Sequence, residues 1–234
     1  LGVAVIIWGL VYGSFFGFKL PFALIDTSTD VITILIISVV IGFVTVMTGL
    51  FLSGKKNIRM KDYAAAYNSG FAWMLILIGL ALLAAGRLFP TLAMVGFIGQ
   101  WLAIVNAVGI VLVSIIRAKS LKGLGPALFN LYNISSYVGD LVSFTRLMAL
   151  GLAGASIGSA FNLIVSLFPP FARFSIGIVL FLALHGINMF LSFLSGYVHG
   201  ARLIFVEFFG KFYDGGGKAF KPLKPAEKYV RYKK

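Results

Sequence analysis

The chain has 234 residues, 60% of them hydrophobic, and a mean hydropathy of +1.00. Charged residues make up 12%, about half the share of a soluble domain, so the chain is expected to be an all-α integral membrane protein. The net charge of +13 does not point to nucleic acid, since the basic residues fall where membrane topology places them, and the absence of cysteine excludes disulfides and thiolate metal sites.

Six apolar segments are predicted as transmembrane helices. The first covers about 1–18, where Gly9, Gly13 and Gly17 suit close helix packing. The second covers about 31–52 and leads into a basic loop with Lys55, Lys56, Arg59 and Lys61. The third and fourth cover about 70–88 and 94–116, and a second basic loop with Arg117, Lys119 and Lys122 ends at Pro126. A chain that begins at Leu1, without an initiator Met or signal peptide, is expected to be a piece of something longer.

The last two segments differ in length. Nothing breaks the helical pattern from Ala127 to the Pro169-Pro170 pair, or from Arg173 to Phe212 ahead of the glycines at 215–217. Each run of about forty residues gives about 60 Å of helix, twice what a ~30 Å hydrocarbon core requires. Because both are apolar nearly throughout, strong tilt is favoured, with a kink or re-entrant turn as the alternative. The chain thus divides into four peripheral helices (1–126), a tilted pair (127–212) and a basic tail (213–234). That tail either touches solvent and lipid headgroups or docks on a soluble partner.

Basic residues alternate by loop. Four lie after the second span, three after the fourth and eight from Lys211 to Lys234, while the opposite side has Lys19, Arg87 and Arg173. The richer side is expected to be cytoplasmic, and six spans then place both ends of this chain there.

Arg146 lies deep in the fifth segment. An arginine in hydrocarbon costs at least ~2.5–3.5 kcal/mol and cannot shed its charge, so it must face a partner charge, water or other protein. On the last segment His185, Asn188, Ser192, Ser195, His199 and Arg202 recur at steps of three and four, which keeps them in one sector of a helix. A polar stripe of this length must face protein or water. Its members are also readable one by one as interhelical hydrogen-bonding groups, with Arg202 and Glu207 near an interface. Fourteen residues separate the two histidines, which cannot share a metal ion by themselves. Asp140, the only acid of the fifth segment, reads either as a station on an ion path or as a carboxylate that fixes its neighbours.

No Walker-type phosphate loop, HExxH or nucleophile elbow is present, so neither enzymatic ATP chemistry nor a cofactor is expected in this chain. Two intramembrane arginines and few acids fit an ion path completed by an acidic site on another subunit. The run Gly139–Ala153 (GDLVSFTRLMALGLA), followed by His185-Gly-Ile-Asn188, Val198-His-Gly-Ala-Arg-Leu203, Val206-Glu-Phe-Phe-Gly-Lys-Phe-Tyr213 and the 215–217 glycines, resembles the membrane domain of subunit a of V-type rotary ATPases, called subunit I in archaeal and bacterial V/A-type enzymes. The resemblance is specific over about the last 110 residues and looser before them.

The resemblance implies a stator subunit whose last two helices are long, tilted and curved against a rotating proteolipid ring (c or K ring) with essential carboxylates. Central and peripheral stalk subunits would be the other partners. Arg146 matches the family's essential arginine and Arg202 its second. His185, Asn188, His199 and Glu207 match polar positions lining two aqueous half-channels, and Asp140, Ser192 and Ser195 are placed with them. Phe144 stands where the family usually has Tyr, and Gly200 where Ser is common. A ring carboxylate near the arginines would release its cation into one half-channel and reload from the other, and both H⁺ and Na⁺ fit that logic. A secondary ion-coupled transporter is the alternative, although no internal repeat is visible. A plain membrane anchor leaves Arg146 without a reason.

Overall fold

The structure is a computed structural model that describes residues 2–19, 25, 30–118, 124–213 and 215–216. The predicted basic tail, save Tyr213, Gly215 and Gly216, lies outside the described residues, as do Lys119 and Lys122. Among the described residues, five helices are long and apolar enough to cross a membrane: α2 (Val31–Arg59), α3 (Tyr63–Leu88), α4 (Ala93–Arg117), α5 (Gly125–Ser166) and α6 (Pro170–Lys211). The chain is therefore a multi-pass, helical membrane protein. Ahead of them lies a shorter helix, α1 (Gly2–Val11), of ten residues, about 15 Å of rise.

The first segment departs from the predicted single helix. After Val11 the chain turns into a two-residue hairpin, with β1 (Ser14–Phe15) antiparallel to β2 (Phe18–Lys19). Phe16 and Gly17, between the strands, have φ of 48° and 77°. Positive φ at both central residues is the type I′ turn, whose twist matches that of a two-residue hairpin. Gly13, at φ 55°, leads into this hairpin, and Gly17 lies in its turn, where it also makes a close backbone approach to Gly158 of α5.

The two long segments appear much as predicted. Helices α5 and α6 are 42 residues each, about 63 Å of rise. Pro126 falls in the first turn of α5, where a missing N–H costs nothing. Pro169, at φ −59° and ψ 154°, breaks the chain before α6, and Pro170 starts that helix. Arg173 donates through Nη2 to the carbonyls of Ser166 and Phe168, which satisfies acceptors left open at the end of α5. Neither helix turns back on itself. In α5, Asn133 and Phe144 keep helical dihedrals with i→i−3 bonds around them, Phe144 N–H to Leu141 O at 3.2 Å and Leu147 N–H to Phe144 O at 3.0 Å. Three π-turns interrupt the regular geometry: Tyr67–Phe71 in α3, and Arg173–Gly177 and Leu203–Phe208 in α6.

A small core holds the helices together. Val46 and Leu50 of α2, Trp73, Ile76 and Leu77 of α3, Ile110 of α4, Tyr137 and Phe144 of α5, and Leu203 of α6 form one buried cluster. Trp73 sits against the Tyr137 ring at 4.7 Å and donates its indole N–H to Asn130 Oδ1 at 3.2 Å. Asn130 Nδ2 in turn donates to the Asn68 carbonyl at 3.3 Å, within the α3 π-turn. A π-turn frees a carbonyl from its intrahelical partner, and a side chain of α5 satisfies it here. Helix α3 touches α4 backbone to backbone, since a Cβ at Gly86 would lie 2.5 Å from Gly96 Cα. Most other large apolar side chains point outward, as a lipid solvent permits. The effect is that α5 is held along its first half by α2, α3 and α4, and α6 lies along α5.

Candidate functional site

The seam between α5 and α6 carries two polar clusters. The first surrounds Arg146. Its Nη2 donates to Ser143 Oγ at 3.1 Å, and Ser143 Oγ donates to Glu207 Oε1 at 2.6 Å. The serine hydroxyl thus accepts from a cation and donates to an anion, the arrangement that uses both of its capacities. Glu207 is 2% exposed. Arg146 Nη1 and Glu207 Oε2 are buried and have no hydrogen-bond partner among the described residues. Burial of a carboxylate and a guanidinium in low dielectric is sustained only by such close pairing, and this pairing leaves one polar atom of each unused.

The position of Glu207 depends on the π-turn at Leu203–Phe208. An extra residue in a turn rotates the downstream part of the helix by about 100°. Regular 3.6-residue geometry would put Glu207 about 140° from Arg202. In the structure Glu207 is turned onto α5, while Arg202 remains exposed and makes no hydrogen bond to the Ser143 network among the described residues. The two arginines named from sequence are therefore in different surroundings: Arg146 is bridged and half-buried, Arg202 open.

Just below this network, Asp140 forms an ion pair with Lys211, and both side chains are largely buried, at 14% and 11% exposure. Lys211 Nζ also lies 4.3 Å from the centroid of the Tyr137 ring, within cation–π range. Lys56 of α2 donates to the Phe212 carbonyl at 3.1 Å. Asp140 is thereby tied to the end of α6.

The second cluster lies at the other end of the seam. His185 is 4% exposed, and its Nε2 is 3.0 Å from Asn162 Oδ1. Asn162 Nδ2 donates to the Phe16 carbonyl of the hairpin at 2.7 Å. Asn188 Nδ2 donates to the Gly154 carbonyl at 3.3 Å. An open cavity of about 530 Å³ has Trp8 and Tyr12 on one side and Gly154, His185, Asn188 and Ser192 on the other. The two clusters are 19 residues apart on α5, from Ser143 to Asn162, or about 28 Å of rise. That is close to the thickness of a hydrocarbon core.

Not every predicted residue joins a cluster. Ser195 and His199 are half-buried between the two, and His199 Nδ1 is buried without a hydrogen-bond partner among the described residues. Sequence reasoning gave no role to Ser143, Lys211 or Asn162. Ser143 is three residues before Arg146 and so on the same face of the helix, which was a usable signal. Lys211 and Asn162 are recognised only through partners 71 and 23 residues away.

No family model matches the chain. Curated relatives do. The A-type ATP synthase subunit I of Methanocaldococcus jannaschii is 26% identical over 268 residues, covering 98% of this chain and 38% of the relative. That of Pyrococcus abyssi is 30% identical over 228 residues, covering 92% of this chain and 33% of the relative. The V-type ATP synthase subunit I of Chlamydia trachomatis serovar D is 32% identical over 129 residues, covering 55% of this chain and 18% of the relative. The chain spans about a third of the length of the archaeal relatives it matches. With five membrane-length helices and similarity across nearly all of its residues, the chain belongs to the subunit I family of A-type and V-type ATP synthases.

Proposed function

We propose that this chain is the part of the stator that moves H⁺ or Na⁺ past the carboxylates of a proteolipid ring. The observation that carries the reading is the Arg146–Ser143–Glu207 bridge, a permanent positive charge half-buried in the seam with one buried guanidinium nitrogen that has no hydrogen-bond partner among the described residues. In this reading the chain crosses the membrane as six apolar segments, α1 with its hairpin among them, and α5 and α6 are strongly tilted. Both ends of the chain are cytoplasmic. Residues 1–126 form the peripheral support, 127–212 the ion-handling pair, and 213–234 a cytoplasmic tail. The stalk subunits and the lipid membrane are the remaining partners.

The chemistry rests on charge. A ring carboxylate arrives carrying its cation. Beside Arg146 the ionised carboxylate is favoured, because a nearby positive charge stabilises it. The cation departs into one half-channel, the carboxylate passes the arginine bare, and it reloads from the other. Arg202, exposed on α6, supplies the second positive charge along that passage. The Glu207–Asp140 end serves the cytoplasmic half-channel, with His199 and Ser195 between. The His185–Asn188–Ser192 end serves the opposite one. Arginine suits the role because it keeps its charge when desolvated, where lysine is able to lose it. A fixed charge between the two paths also blocks a direct leak.

The test is reversible cross-linking in the assembled complex. A cysteine at position 146 (Arg146→Cys) is paired with a cysteine replacing the ring carboxylate in one proteolipid. The reading expects a disulfide between this chain and the proteolipid under oxidising conditions, seen as a cross-linked product that reductant cleaves. Failure of that pair to cross-link, while Arg146→Cys links to a lipid-facing control position instead, refutes a ring-facing Arg146.

A further inference from the structure

Asn162 stands between the hairpin and His185, and its two ends are chemically distinct. An amide nitrogen donates and an amide oxygen accepts. The Phe16 carbonyl, 2.7 Å from Asn162 Nδ2, accepts only. The orientation of the amide is therefore dictated by the hairpin, with its nitrogen toward Phe16 and its oxygen toward the imidazole. His185 Nε2, 3.0 Å from that oxygen, must then be the donor. The hydrogen bond made by one ring nitrogen sets the state of the other.

The hairpin is well fixed for this task. Gly17, at φ 77°, lies so close to α5 that a Cβ there would be 2.5 Å from the Gly158 carbonyl carbon. Phe16 holds φ 48°, a conformation rare for a bulky residue and found where surrounding structure enforces it. That conformation aims the Phe16 carbonyl at Asn162. The Phe16 ring also lies edge-on to His185 at 5.5 Å, and Phe161 and Phe181 cover the imidazole at 6.1 and 4.3 Å. The ring is thus held in orientation as well as in tautomer.

We propose that the Gly13–Lys19 hairpin sets the tautomer of His185 through Asn162, holding the neutral imidazole as the Nε2–H form and leaving the Nδ1 lone pair as its acceptor in the wall of the cavity. Asn162 and Phe16 are positioning residues, while His185 is the group whose lone pair meets a proton, a hydrated cation or water. The role in translocation rests on the reading of the seam as an ion path, whereas the tautomer does not.

The experiment is solid-state ¹⁵N spectroscopy of the intact complex in lipid, with labelled histidine and at alkaline pH. The His185 resonances are identified as those lost in His185→Gln. Wild type is expected to show a protonated Nε2 and a bare Nδ1. Asn162→Leu removes both bonds and is expected to give a mixture of tautomers. Asn162→Asp keeps an acceptor facing Nε2 and is expected to retain the wild-type form. A wild-type Nδ1–H tautomer overturns the proposal, and so does an unchanged tautomer in Asn162→Leu. If Asn162→Leu fails to assemble, the wild-type and Asn162→Asp spectra decide. In parallel, ATP-driven ion uptake by Asn162→Leu is expected to fall at least about tenfold, since a misplaced imidazole tautomer is costly wherever protons are moved. Normal uptake with a scrambled tautomer overturns the role in the path. If the Arg146 variants pump normally while the tautomer is as stated, the ion-path reading fails and the hairpin's control of His185 stands.

Discussion

Replacing Ser143 by alanine removes one oxygen and breaks two bonds at once. The hydroxyl accepts from Arg146 at 3.1 Å and donates to Glu207 at 2.6 Å. A hydrogen bond to a charged group contributes about 1.5–3 kcal/mol. Glu207 is 2% exposed, and its other oxygen has no partner among the described residues, so in Ser143→Ala the carboxylate loses the one hydrogen bond it has there. The expected loss is about 3–5 kcal/mol, the range for breaking a buried charged network from one side. The assay is a double-mutant cycle on the assembled complex in lipid, with Ser143→Ala, Glu207→Gln and both together, read as denaturation midpoints. Neighbours in one network couple by about 0.5–3 kcal/mol, and the bridge predicts a value in the upper half of that range. Purely additive effects refute the bridge and, with it, the account of how Arg146 is held.

Two further outcomes concern ion pairs. Lys211→Met leaves Asp140 buried at 14% exposure without its partner, and is expected to destabilise the complex by about 3–5 kcal/mol; Lys211→Met with Asp140→Leu is expected to recover most of that, as measured by the same melts. Asp62, in the loop between α2 and α3, accepts from the Ala65 N–H at 3.0 Å and pairs with Arg117 at 2.7 Å. The backbone bond first, then Arg117, holds its carboxyl below the usual range. A carboxyl depressed in the folded state stabilises above its unfolded value, and that contribution disappears as pH falls through the folded value. The difference in melting temperature between wild type and Asp62→Asn is therefore expected to be constant at neutral pH and to shrink below about pH 4, and a difference that grows on acidification contradicts the assignment.

Much of the architecture was legible because it rests on local signals. Pro126 and the Pro169–Pro170 pair bound the two 42-residue helices, and long apolar runs mark the other three. Arg146 is conspicuous because a charge in an apolar run needs a reason. The first segment misled because glycines in an apolar run serve helix packing and tight turns equally well. Only the positive φ of Phe16 and Gly17 separates the two, and a phenylalanine is an unusual occupant of such a turn. The site's finer geometry was not legible for another reason. The Ser143–Glu207 contact spans 64 positions and the Asp140–Lys211 pair 71. The phase of Glu207 is set by a π-turn that a 3.6-residue count does not anticipate. The stripe from His185 to Arg202 was read as one face, yet its ends differ: His185 is enclosed at 4% exposure and Arg202 is open. Side chains that meet across two long helices are specified by packing, which periodicity in one helix does not encode.

The most direct measurement is ATP-driven ion uptake into vesicles by the assembled complex carrying Arg146→Ala, with subunit composition checked in the same preparation. The account predicts a complex that assembles and pumps no ions, because the charge that empties each ring carboxylate is gone. Uptake near the wild-type rate would show that Arg146 is structural, and would contradict the central claim.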